Sequence, residues 1–242
     1  MLRRAGARLG MQTGEILVGG VVPFTTIDFP GRLAAVVFTR GCPWRCGYCH
    51  NPHLWQAGES PDRGTSWAAV LDLLETRRGL LDAVVFSGGE PTAQPGLVAA
   101  CANVRDRGFE VGLHTGGAFP ERLAAALPLV DWVGFDVKAP FGEYERTTRV
   151  AGSGERARES LGLVVESGVP FEVRTTVHSA LLDPASLALL ARELHTLGIE
   201  RWTLQPFRAH GAPAQLVASL YSADDLRALT GAFGGVREVR SA

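Results

Sequence analysis

Leu33-Ala34-Ala35-Val36-Val37-Phe38-Thr39-Arg40-Gly41-Cys42-Pro43-Trp44-Arg45-Cys46-Gly47-Tyr48-Cys49-His50-Asn51-Pro52 is an apolar run that breaks into a loop carrying three cysteines. Apolar residues in unbroken succession predict a strand buried on both faces. The C-x₃-C-x₂-C spacing then puts three thiolates on one short loop at the end of that strand. Each can take one iron of a 4Fe–4S cube, and with no fourth cysteine nearby one iron keeps an open position. Two other readings stand beside this one. His50 or His53 completes a Cys₃His set for structural zinc, or the cysteines hold no metal. Zinc knuckles usually come in pairs, and no second knuckle follows. A chain long enough to bury a full core has no need of disulfide staples. Cys101, in the Ala-rich stretch 97–104, reads as a small buried hydrophobe.

Outward from that loop, the strand is the first of six that alternate with helices. Helices are expected from about Ser66 and over roughly 95–107, 119–127 and 154–167. Another starts after Asp183 as cap with Pro184 in the first turn, and a last one after the Ser222-x-x-Asp225 capping box. Between them lie short apolar segments at 83–86, 110–114, 132–137, 171–177 and 202–205. Such alternation implies parallel pairing through right-handed crossovers, in an α/β fold. Six units are too few for an eight-fold barrel, so a splayed partial (βα)₆ barrel is expected. Polar residues gather at the strand C-termini: the cysteine loop, Glu90, His114, Asp136 with Lys138, Arg174 and Gln205. That end is where α/β folds bind ligands.

Composition narrows the function classes. Of 242 residues, 46% are hydrophobic and 20% charged, and the net charge is −1, an ordinary globular balance with no nucleic-acid footprint. No run approaches the roughly 18 apolar residues of a membrane span. Residues 1–13 read as a flexible lead-in, with Met11 a second candidate start, and 14–242 as a single domain. The basic N-terminus lacks the apolar stretch of a secretory signal, and free cysteines suit a reducing cytoplasm.

Taken together, these residues resemble the radical S-adenosylmethionine (SAM) enzymes. Three features carry the likeness in order: Cys42-x₃-Cys46-x₂-Cys49 after the first strand, Gly88-Gly89-Glu90-Pro91 after the second, and the (βα)₆ alternation. A narrower set is similar to the activating proteins of glycyl-radical enzymes, most of all those of anaerobic ribonucleoside-triphosphate reductase. It comprises 22–31, Tyr48-Cys49-His50-Asn51-Pro52, Phe135-Asp136-Val137-Lys138-Ala139-Pro140, Arg174-Thr175-Thr176-Val177-His178 and Leu204-Gln205-Pro206-Phe207-Arg208.

The resemblance implies one 4Fe–4S cluster on Cys42, Cys46 and Cys49, whose fourth iron binds the amino and carboxylate groups of SAM. It implies reductive cleavage of SAM to methionine and a 5′-deoxyadenosyl radical, with the protein placing and tuning its cofactors. Gly88 and Gly89 would let the backbone approach the ligand. Glu90 would meet the methionine amino group, against the alternative of a solvated turn acid. Tyr48 would pack on adenine, against ordinary core packing. Asp136 and Lys138 face one side of the sheet and would address the ribose or carboxylate, with a monovalent cation as intermediary. The alternative for that pair is a surface ion pair. Arg174 and Gln205 complete the implied cofactor-binding set. His114 stands where pyruvate formate-lyase activators have an acid, and Arg208 where they have a histidine. His178 and His195 are expected on surfaces.

The implied partners are a glycyl-radical enzyme of the anaerobic ribonucleotide reductase type as protein substrate and a low-potential electron donor such as flavodoxin or ferredoxin. Neither nucleic acid nor membrane is implied. Two other readings remain. One is a radical SAM enzyme acting on a small molecule, of the deazapurine synthase kind. The other is a non-enzymatic metal or electron-transfer module. The remaining cysteine leaves no set for a second cluster, and the short stretch after Ser222 offers little to cap the barrel, which favours a protein substrate.

Overall fold

The structure is a computed structural model and describes residues 16–57, 65–208, 221–230 and 236–239. One eight-stranded sheet carries them in the order β1 to β8, each strand beside its predecessor. The strands are β1 (Val18–Thr25), β2 (Ala34–Thr39), β3 (Ala83–Gly88), β4 (Glu110–Thr115), β5 (Trp132–Asp136), β6 (Phe171–Val177), β7 (Trp202–Pro206) and β8 (Val236–Val239). β1 is antiparallel to β2, and every later pair is parallel. The open, mostly parallel α/β sheet is the expected partial barrel, its six central strands being β2 to β7.

The helices are α1 (Trp67–Glu75), α2 (Leu97–Arg105), α3 (Pro120–Ala126), α4 (Tyr144–Thr148), α5 (Ser153–Ser167), α6 (Pro184–Thr196) and α7 (Ala223–Thr230). Their ends follow local chemistry. The Ser66 hydroxyl accepts from Ala69 N–H, and the Asp183 carboxylate from Ser186 N–H at 2.8 Å. Ser222 and Asp225 form the reciprocal box, Asp225 N–H donating to Ser222 Oγ and Ser222 N–H to Asp225 Oδ2. Gly168, at φ 71°, ends α5 in the left-handed region.

Three elements depart from the expectation. β1 is not among the six expected strands, since Gly19, Gly20 and Pro23 interrupt its pattern. An edge strand tolerates all three, since its outer N–H groups need no partner. β8 has four residues, too few for a period to show. α4 is a single five-residue helix with no stripe. The lead-in, 1–13, lies outside the described residues.

Two apolar layers hold the sheet. The larger, between sheet and helices, includes Phe86, Leu113, Leu161, Leu187 and Cys101, which is fully buried in α2 as expected. The smaller lies on the other face, where Phe29, Val36, Val85 and Trp132 meet, Phe29 lying 5.5 Å from Trp132. Above that inner layer the same face turns polar. Register sets His114 beside Gly134, Asp136 beside Arg174, and Thr176 beside Gln205. Parallel pairing brings all these strand ends to one rim.

Candidate functional site

The cysteine loop is held mainly through its backbone. Arg40, Gly41 and Cys42 N–H groups donate to Leu17, Leu54 and Trp55 carbonyls at 2.8–3.1 Å, and Arg45 N–H to Thr148. The Arg45 guanidinium donates to the Cys42 and Trp44 carbonyls at 2.5 and 2.8 Å and lies over the Trp55 ring. Buried Gln94 adds a strap: its Oε1 accepts from Leu17 N–H, and its Nε2 donates to the Arg40 carbonyl.

Gly88-Gly89-Glu90 is locked to this loop. Thr39 pairs with Gly88 across β2 and β3, Gly89 N–H donates to Thr39 O at 2.9 Å, and Glu90 N–H to Gly41 O at 3.0 Å. A Cβ on Gly89 would stand 2.5 Å from the Gly41 oxygen. The glycines are therefore explained first by the cysteine loop that presses on them.

Glu90 is not a solvated turn acid. Its side chain is buried, at 2% exposure, and hydrogen-bonded through both oxygens. Oε1 accepts from Thr92 N–H, Thr92 Oγ1–H and Thr115 Oγ1–H at 2.6–3.0 Å, and Oε2 from Gly116 N–H at 2.9 Å. It thus ties the turn after β3 to the end of β4. A carboxylate offers about four lone-pair sites, so Oε2 retains acceptor capacity.

A cavity of about 160 Å³ opens where these elements meet. Cys42, Cys46 and Cys49 line it with Tyr48, Gly88, Gly89, Glu90, His114, Asp136 and Lys138. His50, read from the sequence as a candidate fourth zinc ligand, lines it too, as do Trp44, Thr115 and Gly116, which the sequence reading did not single out. A rule that strand C-termini carry function reaches Thr115 and Gly116, one and two residues past His114. Nothing in the spacing marks Trp44. Arg174 and Gln205 lie at the same rim but are not among the lining residues.

Burial pushes the Cys42 thiol up to about 12 and the Cys46 thiol up to about 11. Bare, they are protonated, and a metal would displace those protons. Among the described residues no three Cys, His, Asp or Glu side chains converge on a single point.

Asp136 does not pair with Lys138. Its Oδ1 accepts from Arg174 Nε at 2.9 Å, and Arg174 Nη2 lies at the same distance as its ion-pair partner. Burial works to raise this carboxyl, but the Arg174 guanidinium, followed by the Lys138 ammonium, outweighs it and holds the carboxyl below its ordinary value. Lys138 Nζ lies 5.8 and 6.0 Å from the Trp44 and Tyr48 ring centres, and its backbone N–H donates to the Tyr144 hydroxyl. His178, expected on a surface, is buried at 1% exposure. The Phe207 ring draws it in, edge-on at 5.0 Å, and stacks on His50 from the other side. His195 is exposed, as expected.

Two buried ring nitrogens at the cavity have no partner: Trp44 Nε1, which carries a proton to donate, and His50 Nε2. Buried polar atoms normally find one, so both are suited to a bound ligand.

The family model of the radical SAM superfamily matches residues 36–183. A Methanocaldococcus jannaschii protein, provisionally named a glycyl-radical enzyme activating enzyme, is 31% identical over 185 residues, 74% of this chain and 75% of that one. The pyruvate formate-lyase-activating enzyme of Staphylococcus aureus is 37% identical over 95 residues, 37% of either chain. Among solved structures, QueE from Escherichia coli aligns with a TM-score of 0.59 over 94% of this chain and 95% of its own, at 17% identity. Streptococcus suis SuiB bound to the precursor peptide SuiA gives 0.64 over 86% of this chain, which spans about half of SuiB (48%), at 12% identity. At these identities the two structures speak for the fold alone.

Proposed function

The chain belongs to the radical SAM superfamily, whose cofactors are a 4Fe–4S cluster and SAM, and we propose that within it the protein activates a glycyl-radical enzyme, an anaerobic ribonucleotide reductase. The observation that carries the reading is the single cavity where three cysteines of one loop meet Gly88-Gly89-Glu90, Asp136 and Lys138. The Methanocaldococcus relative, similar over three quarters of its length, points to the activating branch.

The residues fit the cofactors. Three thiols of one loop lining one cavity suit three irons of a cube. Partnerless Trp44 Nε1 offers a donor, and His50 Nε2 a second polar atom, to a ligand beside them. When bound, the cofactors supply one-electron cleavage of a carbon–sulfur bond and a species able to take a hydrogen atom.

The chain's own work is placement. Cys42, Cys46 and Cys49 hold the cluster on a loop that backbone hydrogen bonds and Arg45 keep in one shape. Glu90, clamped by four donors, keeps Oε2 for the ligand's ammonium, and a charged hydrogen bond there is worth about 1.5–3 kcal/mol. Tyr48 offers its ring to the adenine. Lys138 and Asp136 present opposite charges to the ligand's carboxylate and ribose. The electron comes from a low-potential donor such as flavodoxin or ferredoxin.

The test mixes reduced protein, SAM and a candidate reductase without oxygen and records EPR spectra. A protein-based glycyl doublet on the partner supports the reading. SAM cleavage that labels a small molecule, with no radical on the partner, overturns it in favour of a small-molecule enzyme.

A further inference from the structure

The floor of the cavity between β4, β5 and β6 holds one more device. Gly134 of β5 lacks a side chain where two others converge. A Cβ there would stand 2.9 Å from His114 Cδ2 and 3.0 Å from Arg174 Cζ. The glycine leaves room for a guanidinium, at 8% exposure, beneath the Asp136 carboxylate that lines the cavity. Register sets the pair: Asp136 and Arg174 are opposite one another in β5 and β6.

We infer that the Arg174 guanidinium, held against Asp136 at the edge of this cavity, fills the place of the monovalent cation implied by the resemblance, so that SAM binding by this chain requires no such ion. The inference rests on SAM being the ligand.

The residues at hand do not suit a bound metal cation. Asp136 Oδ1 already takes a charged hydrogen bond from Arg174 Nε, with Nη2 in ion-pair contact at 2.9 Å. His114 stands where an acid would be needed, and its Nε2 lies 2.8 Å from the Asp28 carbonyl. A carbonyl only accepts, so that nitrogen carries the proton and cannot be a metal ligand. Burial first, then Arg174, pushes His114 down to about 4, so it is neutral and brings no negative charge. An added cation would face a fixed positive charge with one shared carboxylate oxygen between them. The guanidinium does the ion's electrostatic work: it holds Asp136 ionised against burial. It also fixes the carboxylate's direction, which a point charge does less well. Arg174 is not itself a lining residue, so it is a positioning residue acting through Asp136.

The test measures SAM affinity of the cluster-loaded protein by equilibrium binding in potassium, sodium and tetramethylammonium chloride at one ionic strength. The wild type is expected to vary less than about twofold. Arg174→Gln is expected to lose about tenfold or more in tetramethylammonium and to recover in part with potassium or added guanidinium. Arg174→Lys should stay within a few-fold of wild type. A wild type that needs potassium or sodium for tight binding overturns the inference, as does an Arg174→Gln protein that binds normally in every salt. The wild-type arm decides the question even if Arg174→Gln fails to hold its cluster. No SAM binding by loaded wild type in any salt removes the cofactor reading itself, and the inference with it. The activase reading stands or falls separately, on the partner's radical.

Discussion

The two walls of the cavity are built by different means. The first, from β2, the cysteine loop and the turn after β3, is fixed by main-chain hydrogen bonds and by glycine contacts as close as a missing Cβ allows. The second, from the ends of β4, β5 and β6, is fixed by side chains and charge: Asp136 on Arg174, His114 on Asp28, Lys138 over two rings. In the first wall, a side chain at Gly88 or Gly89 would press on backbone that cannot move aside freely. The second can be retuned residue by residue, at the cost of charge balance. A metal cube needs a wall of the first kind, and a ligand with an ammonium, a carboxylate and a ribose needs one of the second kind.

The largest effect is expected in the first wall. Any one of Cys42→Ala, Cys46→Ala and Cys49→Ala should abolish or cripple iron–sulfur absorption after anaerobic reconstitution. Cys101→Ala should keep it, since Cys101 is buried in α2 away from the cavity lining. Full iron loading of the Cys46→Ala protein would break the contrast between the walls, because the loop would then not be the cluster's seat.

Next comes Gly89→Ala. The new methyl would press on the Gly41 oxygen, and neither backbone can yield freely. Overpacking of this kind costs about 1–3 kcal/mol, and here it also spreads the cysteine loop from the turn. A lower Tm and reduced iron content are expected. Gly142→Ala, with no atom within 4 Å of the new methyl, is the control and should change neither. Equal behaviour of the two would show that the first wall is softer than its contacts suggest.

Glu90 joins the walls, so its change should be felt in both. Glu90→Gln keeps an oxygen for the two Thr92 donors and Thr115 but turns an amide N–H₂ toward Gly116 N–H. A buried donor left unsatisfied costs about 1–3 kcal/mol. Loss of the charge should also weaken SAM by roughly tenfold to hundredfold, the equivalent of about 1.5–3 kcal/mol. Thermal unfolding reads the first effect and equilibrium SAM binding the second. A drop in Tm with SAM affinity untouched would confine Glu90 to its role as a clamp.

The same contrast explains what the sequence could tell. The first wall lies in continuous stretches, 33–52 and 87–91, so spacing and residue type suffice to find it. Caps such as Ser66, Asp183 and Ser222 are legible for the same reason: partner and cap lie three residues apart. The second wall depends on register. That Arg174, rather than Lys138, holds Asp136 follows from β5 pairing with β6 at those positions, and no local pattern carries that. His178 was placed on a surface because its environment, Phe207 and His50, comes from two distant segments. Gln94, Thr115 and Trp44 escaped notice for a related reason: each has a commonplace residue type, and only three-dimensional neighbours give it a task. β1 was hidden because an edge strand need not follow the rules of an interior one.

The smallest expected effect has the most informative sign. Trp44 belongs to the cysteine loop by sequence, yet its ring packs on the second wall, edge-on to Tyr144 at 5.9 Å and beneath Lys138. A Cβ on Gly116 would touch it at 2.5 Å, so ring and glycine fit closely. Its Nε1 is buried at the cavity without a partner. In the bare protein such a donor is a burden of about 1–3 kcal/mol; donating to a ligand it would return about 0.5–1.5 kcal/mol. Trp44→Phe removes the N–H while keeping an aromatic ring, though a smaller one. It should therefore leave the ligand-free protein unchanged in stability or raise it, the lost ring volume offsetting part of the gain. At the same time it should weaken SAM about twofold to tenfold. Paired measurements of Tm without SAM and of SAM affinity check the two signs separately. Lower stability together with unchanged affinity would make Trp44 a packing residue of the second wall and remove it from the ligand's reach.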